Sequence, residues 1–170
     1  MKTPTAKALT VCQGWASLIF HLTDRKDIEN RTWSTNYRGD LLIHAGRSKK
    51  QIAETLKFCD RIGVRLSEDL TFGAILGIVE LVNCDRLSTS IWAQPEQYHW
   101  QFANPRSFIE PIVCSGALSL WTPSSEILEK VGAAGLVTLH RSVPGRDDRL
   151  LQPRASEREQ IGDSVQLSLL

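Results

Sequence analysis

An apolar run at residues 72–82 constrains the fold of this chain more than any other segment. It reads Phe-Gly-Ala-Ile-Leu-Gly-Ile-Val-Glu-Leu-Val and carries a single charge, Glu80. Its apolar and β-branched residues predict a central strand. Gly73 and Gly77 allow this strand to bend or to lie close to a neighbouring backbone, which is common where a sheet curls into a barrel.

Short strands are predicted throughout the first 121 residues. Their spacing is irregular, and polar turns that contain glycine and proline separate them. One such turn, Asn104-Pro105-Arg106, is expected to separate two strands. Besides 72–82, the predicted strands cover residues 7–12, 26–33, 40–45, 98–103, 107–114 and 117–121.

Three helices are predicted among these strands. The helix at residues 48–62 has the clearest signals, because Ser48 and Gln51 have the spacing of a capping box and Gly63 stands where a helix stops. Apolar spacing of three and four residues indicates the others. They are a short helix at residues 15–22 and a helix at residues 124–131.

The pattern lacks the regular strand–helix alternation of a parallel, doubly wound sheet. It predicts an α+β fold: a small, mostly antiparallel barrel with two or three covering helices and a C-terminal tail. We expect residues 1–131 to form this domain. Residues 132–170 mix arginine, acidic residues and proline, which predicts a flexible tail. Within the tail, the apolar pieces 136–139 and 165–169 are each candidates for a weakly anchored strand.

Composition limits the classes of function. The chain has 170 residues, 42% of them apolar, and a formal net charge of +1, so any contact with nucleic acid must come from a local basic patch. The four cysteines form no Cys-x-x-Cys pair, which predicts reduced thiols and no metal site. We expect no cofactor. Neither a signal peptide nor a membrane-spanning run is recognised, so the expected location is the cytoplasm, away from membranes.

The segment at residues 26–33, Lys-Asp-Ile-Glu-Asn-Arg-Thr-Trp, is too polar for an ordinary half-buried strand. Side chains alternate along a strand. One face therefore carries Asp27, Glu29, Arg31 and Trp33. Such a face is either solvated or lines a polar cavity, and the large Trp33 favours the cavity.

Six segments, taken in order, resemble the ASCH domain family. Together they extend over about residues 7–123, and their number and order make the resemblance specific. They are 13–16 (Gln-Gly-Trp-Ala), 26–33, 37–46 (Tyr-Arg-Gly-Asp-Leu-Leu-Ile-His-Ala-Gly), 73–81, 98–106 and 116–121 (Gly-Ala-Leu-Ser-Leu-Trp).

The resemblance implies a PUA-like β-barrel whose cleft is lined by residues 26–31. It also implies RNA binding or a role in RNA-linked processes. Some relatives hydrolyse acylated cytidine, and others cut RNA. This chain departs from the family pattern in three places. Cys12-Gln13-Gly14-Trp15 stands where Arg-Gln-Pro-Trp is common, Asp24-Arg25-Lys26 replaces Gly-x-Lys, and Glu29 replaces the threonine of the small amidohydrolases.

Lys26, Glu29 and Arg31 are the main candidate site residues. Lys26 is suited to holding a phosphate or acting as a base, although a solvated turn lysine is the simpler alternative. Glu29 is a candidate general acid or base, or an acceptor for the edge of a nucleobase, and a structural ion pair with Arg31 is equally compatible with the spacing. Arg31 is suited to gripping a phosphate.

Other candidates have stronger structural alternatives. Trp15 and Trp33 are suited to stacking on a base, although Trp15 lies on an apolar helix stripe. His44 lies in an apolar strand and fits a core position as well as a site. Glu80 on a buried strand is expected either to pair with a base such as Lys26 or to serve as a catalytic residue. The remaining ligand-binding candidates are Gln13 and Arg38.

Three hypotheses for function follow. The first is a module that binds RNA, single-stranded nucleic acid or a nucleoside-type small molecule in the cleft. The second is a hydrolase that acts on RNA or an acylated nucleoside through Lys26 and Glu29, with Glu80. The third is a protein-interaction domain. Basic residues along the segment 25–50 support the first hypothesis: Arg25, Lys26, Arg31, Arg38, Arg47, Lys49 and Lys50.

Overall fold

A curled sheet of seven strands forms the body of the structure, a computed structural model that describes residues 6–139. The strand order is β2-β5-β4-β3-β1-β6, with β7 also pairing with β5. The strands are β1 (Lys7–Val11), β2 (Ile28–Arg31), β3 (Gly39–Ala45), β4 (Ala74–Asp85), β5 (Tyr98–Val113), β6 (Leu120–Trp121) and β7 (Leu136–Thr138). The helices are α1 (Gln13–Ile19), α2 (Ile52–Ile62) and α3 (Ser125–Ala133).

Within residues 6–139, the pairing of β1 with β3 is parallel and every other pairing is antiparallel. The predicted α+β class and small, mostly antiparallel barrel architecture are therefore confirmed. The part of the predicted tail from residue 140 onward, including the piece 165–169, lies outside the described residues. The piece 136–139 contributes β7, whose side chains are exposed.

The central strand is β4, which lies between β3 and β5 as the apolar run predicts. Its first six residues are buried, and its pairing with β5 is interrupted by three shifts of register that help the sheet curl. A Cβ atom at Gly77 would collide with the backbone oxygen of Arg106 and with the ring of Phe20. The predicted close approach of a neighbouring backbone is therefore confirmed at Gly77.

The predicted turn at residues 104–106 is wrong, because β5 continues through it. Between the pairs Glu80–Ala103 and Ile78–Arg106, β5 contains one residue more than β4. Asn104 has a φ of 48°, and this bulge absorbs the extra residue without ending the strand. A proline is tolerated at a bulge because the ladder needs no N–H group there.

The predicted capping box at Ser48 is also wrong. Helix α2 begins at Ile52, and Gln51 is its N-cap without a side-chain hydrogen bond. Ser48 instead accepts a hydrogen bond from the backbone N–H of Lys50 at 3.3 Å, which stabilises a turn before the helix. Gly63 ends α2 in the left-handed conformation, as predicted.

The other two helices also differ from prediction at their ends. Helix α1 ends at Ile19, so Leu22 lies beyond its apolar stripe and is exposed. Helix α3 begins after Ser124, whose hydroxyl accepts a hydrogen bond from Ile127. Within residues 6–139, no helix combines the length and the apolar character that crossing a bilayer requires.

Helices α1 and α2 pack against each other at Gly14. A Cβ atom added there would lie 2.6 Å from Oγ1 and 2.8 Å from Cβ of Thr55. Thr55 is fully buried, and its hydroxyl donates to the backbone oxygen of Gln51 at 2.8 Å. The β-branched side chain therefore has little room to move. A glycine at this position brings the two helices together at one end of the sheet.

We predict that Gly14→Ala lowers the free energy of unfolding by about 1–3 kcal/mol, because the added methyl group overpacks this contact. Gly132→Ala is the matched control, since nothing lies within 4 Å of a Cβ atom at that helical position. The control should be neutral or slightly stabilising. Urea unfolding measures both changes, and equal effects of the two substitutions would contradict the prediction.

Candidate ligand-binding cavity

A cavity of about 290 Å³ lies at the end of the sheet where α1, α2 and the loop between β4 and β5 meet. Residues from β1 and β2 form its floor, and residues from the helices and the loop form its walls. Polar, charged and aromatic side chains share the lining. The lining residues are Thr10, Cys12, Trp15, Lys26, Glu29, Asn30, Arg31, Gln51, Glu54, Phe58, Trp92, Gln94 and Gln97.

Three charged side chains at β2 form a continuous ion-pair network, which we call the charged triad: Lys26, Glu29 and Arg31. The Nζ atom of Lys26 donates to Oε2 of Glu29 at 2.5 Å and to the backbone oxygen of Ile28. The Nη2 atom of Arg31 lies 3.0 Å from Oε1 of Glu29. Both oxygens of the carboxylate are therefore occupied, each by a different cation.

The triad is largely removed from water. Lys26 is 4% exposed and Glu29 is 8% exposed. Burying charges costs free energy, and this cost is offset only where the charges are paired and hydrogen-bonded. The Nη2 atom of Arg31 donates a further hydrogen bond of 2.9 Å to the backbone oxygen of Thr10, which ties β2 to β1. The Nε atom of Arg31 is buried without a hydrogen-bond partner among residues 6–139. The triad carries two positive charges and one negative charge, so its net charge is positive.

Three aromatic side chains form the apolar wall of the cavity, which we call the aromatic wall: Trp15, Phe58 and Trp92. Trp15 meets Phe58 edge-on, with ring centroids 5.5 Å apart. Phe58 stacks on Trp92 at 5.2 Å with an interplanar angle of 28°. Each ring comes from a different segment, namely α1, α2 and the β4–β5 loop, so the wall forms only when the three segments pack together.

The β4–β5 loop, residues 86–97, is held against β2 by polar contacts. The side chain of Asn30 donates to the backbone oxygen of Trp92 at 2.8 Å and accepts from the backbone N–H of Gln94 at 3.0 Å. The hydroxyl of Ser90 donates to the carboxylate of Asp27 at 2.6 Å. The segment 26–31, which contains β2, therefore supplies the charged triad and fixes the loop that carries Trp92.

The ASCH domain family model matches residues 9–112 of this chain. This span covers more than half of the sequence and includes every lining residue of the cavity. The chain belongs to the ASCH family. The family resemblance of the sequence is thereby confirmed. Among curated proteins, no match to the chain was found.

Four of the residues predicted for the site line the cavity of this ASCH domain: Trp15, Lys26, Glu29 and Arg31. The expected pair between Glu29 and Arg31 is present, and it lies in the floor of the cavity. For Trp15, both the site and the core interpretation hold, because its side chain lines the cavity and also packs against the core.

Five other candidate residues lie elsewhere, two of them in structural contacts near the core. The buried amide of Gln13 donates to the backbone oxygen of Thr71 and accepts from the hydroxyl of Ser17 at 3.0 Å. Trp33 lies just after β2 and packs edge-on against Trp100, with centroids 4.6 Å apart. Alternation along 26–33 does not place Trp33 in the cavity, because the strand ends at Arg31.

Arg38 and His44 also lie outside the cavity. Arg38 is exposed and donates to the backbone oxygens of Thr35 and Tyr37. His44 is 2% exposed, and its Nε2 atom lies 3.1 Å from the backbone oxygen of Cys114. Burial lowers the pKa of His44 below its usual 6.5, which favours the neutral imidazole. These contacts are those of a core histidine.

The expected burial of Glu80 and its pairing with Lys26 are wrong. Val79 and Leu81 point into the core, and alternation along β4 turns Glu80 to the other, partly exposed face. Its carboxylate accepts a hydrogen bond of 2.7 Å from the side chain of Asn104. The sequence identified a lone charge in an apolar run but not the face on which it lies.

Several lining residues were not predicted from sequence, including Glu54, Phe58 and Trp92. The one available signal was Trp92, a large aromatic residue in the segment between the predicted strands 72–82 and 98–103. Cys12 also lines the cavity. Burial, and next the charge of Glu29, raise the pKa of its thiol, so the thiol stays protonated at neutral pH. No group of three or more His, Cys, Asp or Glu side chains in residues 6–139 could hold a metal ion.

We predict that Glu29→Gln lowers the free energy of unfolding by about 3–5 kcal/mol, because Lys26 is left as a buried charge without its counter-charge. Lys26→Met should cost less, since Glu29 keeps its pair with Arg31. The double variant Lys26→Met/Glu29→Gln should recover part of the loss. Chemical denaturation of the three variants gives the coupling free energy.

The control for this cycle is Glu126→Gln, which removes the same charge from an exposed pair with Lys130 on α3. It should change stability little, because exposed ion pairs contribute little. Strictly additive effects of the two triad substitutions would contradict the role assigned to the buried pair.

Proposed function

We propose that this ASCH domain binds single-stranded RNA and takes one nucleobase into the cavity. The observation that carries this proposal is that the aromatic wall and the charged triad line the same small cavity. Proteins that recognise single-stranded RNA commonly splay out a base, stack it on aromatic rings and bind its polar edge. The cavity combines these surfaces in a volume of about 290 Å³, which suits a single base or nucleoside.

The triad supports the binding of an anionic chain. Its net positive charge lies at the floor of the cavity, and Lys26 has one N–H donor beyond those used by Glu29 and Ile28. That donor is available to a phosphate or to a carbonyl oxygen of a base. Lys26 and Arg31 are the basic residues of segment 25–50 that line the cavity. The carboxylate of Glu54 also lines the cavity and balances the charge of the triad, so the attraction for a phosphate comes locally from Lys26 and Arg31.

Geometry favours binding over hydrolysis by the predicted catalytic residues. Both oxygens of Glu29 are engaged in ion pairs, so it is not a free base. Glu80 lies outside the cavity lining and bonds to Asn104. The Cys12 thiol has a raised pKa, owing first to burial, and is a weak nucleophile at neutral pH.

We predict that the affinity for a labelled single-stranded oligoribonucleotide falls steeply as salt is raised, because phosphates are neutralised by basic side chains. Phe58→Leu should weaken binding by roughly tenfold, because it removes the ring that joins Trp15 to Trp92 in the aromatic wall, and base stacking contributes about 1–3 kcal/mol per base. Its salt dependence should stay unchanged, since no charge is removed. Fluorescence anisotropy measures both quantities.

Phe72→Leu is the matched control, because Phe72 is half-buried, lies under the ammonium group of Lys49 and does not line the cavity. It should bind RNA like the wild type. No binding to RNA, binding that ignores salt, or equal effects of the two phenylalanine substitutions would each contradict the proposed function.

A further inference from the structure

One charged residue of the cavity is not part of the triad. Glu54 lies in the first turn of α2 and lines the cavity beside the aromatic wall. Its carboxylate makes no hydrogen bond or ion pair with any residue between 6 and 139. Glu29, by contrast, has both oxygens occupied. Glu54 is therefore the carboxylate of this lining that is free to accept hydrogen bonds from a ligand.

The position of Glu54 is consistent with this role. Its negative charge is close enough to Cys12 to contribute to the raised pKa of that thiol, after burial and the charge of Glu29. Cys12 lies at the start of α1 and lines the same cavity. The charge of Glu54 therefore reaches another group of the cavity lining.

The chemistry of an ionised carboxylate restricts the ligand that it recognises. A carboxylate only accepts hydrogen bonds, so its partner must present N–H donors. Guanine presents two adjacent donors, N1–H and the 2-amino group, which match the two carboxylate oxygens. Adenine and cytosine place an acceptor nitrogen beside their amino group, and uracil places carbonyl oxygens on both sides of its N–H. These acceptors repel the carboxylate.

We propose that Glu54 reads the Watson–Crick edge of guanine, so that the cavity selects guanine from single-stranded RNA. This inference rests on the proposed function, because the base must first enter the cavity and stack on the aromatic wall. The carbonyl oxygen O6 of a bound guanine is the acceptor that the remaining N–H of Lys26 requires. Glu54 and Lys26 of the lining thus supply an acceptor pair and a donor for neighbouring groups of one edge of the base.

The test uses octamers of uridine in which one central residue is guanosine, inosine, adenosine or cytidine. All the octamers carry the same phosphates, so differences in affinity report the base alone. Inosine lacks only the 2-amino group of guanosine. The expected order has guanosine tightest, with inosine weaker by roughly tenfold or more for the loss of one hydrogen bond to a charged group. The full-length protein is titrated with each octamer by fluorescence anisotropy.

Glu54→Gln should remove the preference for guanosine over inosine. Glu126→Gln is the matched control, because it removes a first-turn glutamate from α3, which does not line the cavity. It should keep the preference. The exposed position of Glu54 makes loss of folding unexpected, and circular dichroism of each variant verifies that it is folded.

The outcomes separate the inference from the proposed function. Equal affinity of the wild type for all octamers, or a guanosine preference that survives Glu54→Gln, overturns the role of Glu54 while RNA binding stands. Binding of none of the octamers overturns both. A guanosine preference that is lost in Glu54→Gln and kept in Glu126→Gln supports the inference.

Discussion

The buried carboxylate of Glu29 is the contact on which the site depends. It joins Lys26 to Arg31, and Arg31 in turn bonds to the backbone of Thr10. Without this carboxylate, two cations would face each other in a poorly solvated space, which is unfavourable. The pairing therefore explains how a strand as polar as β2 is tolerated beside the core. It also fixes the floor of the cavity with a net positive charge.

Strand β2 also helps to position the aromatic wall. Asn30 lies between two members of the triad in sequence, and its side chain holds the β4–β5 loop through two hydrogen bonds. That loop brings Trp92 onto Phe58, while the close packing of Gly14 on Thr55 brings α1 beside α2. The cavity is thus a product of the fold, because its residues come from five segments of the chain. The proposed binding of a planar base would use surfaces that the fold already holds in place.

Much of this architecture was predictable from residues alone. The apolar run at β4 and the glycine at its bend indicated a central strand in a curled sheet, and the polar run at β2 indicated a cavity wall. The prediction of a turn at Asn104-Pro105-Arg106 was wrong because residues that favour a turn also fit a β-bulge, and β5 contains a bulge at this point. The start of α2 was misplaced because Ser48 bonds locally to Lys50 instead of capping the helix.

The candidate site was harder to predict than the fold. Lys26, Glu29 and Arg31 are close in sequence, so one polar segment identified all three, although alternation groups only Glu29 with Arg31. Phe58, Trp92 and Glu54 reach the cavity only through contacts between segments that are distant in sequence, and no local pattern records such contacts. For Glu80 the error was the opposite one, because a residue predicted for the site lies outside it. This single charge of the apolar run 72–82 is partly exposed and bonds to Asn104.

The most direct test of the account is to locate the bound base. Full-length protein would be irradiated with a single-stranded oligoribonucleotide that contains one 6-thioguanosine, and the crosslinked peptides would be identified by mass spectrometry. The account predicts crosslinks within the aromatic wall, at Trp15, Phe58 or Trp92. Crosslinks confined to surfaces outside the cavity, such as α3 or β7, would contradict it.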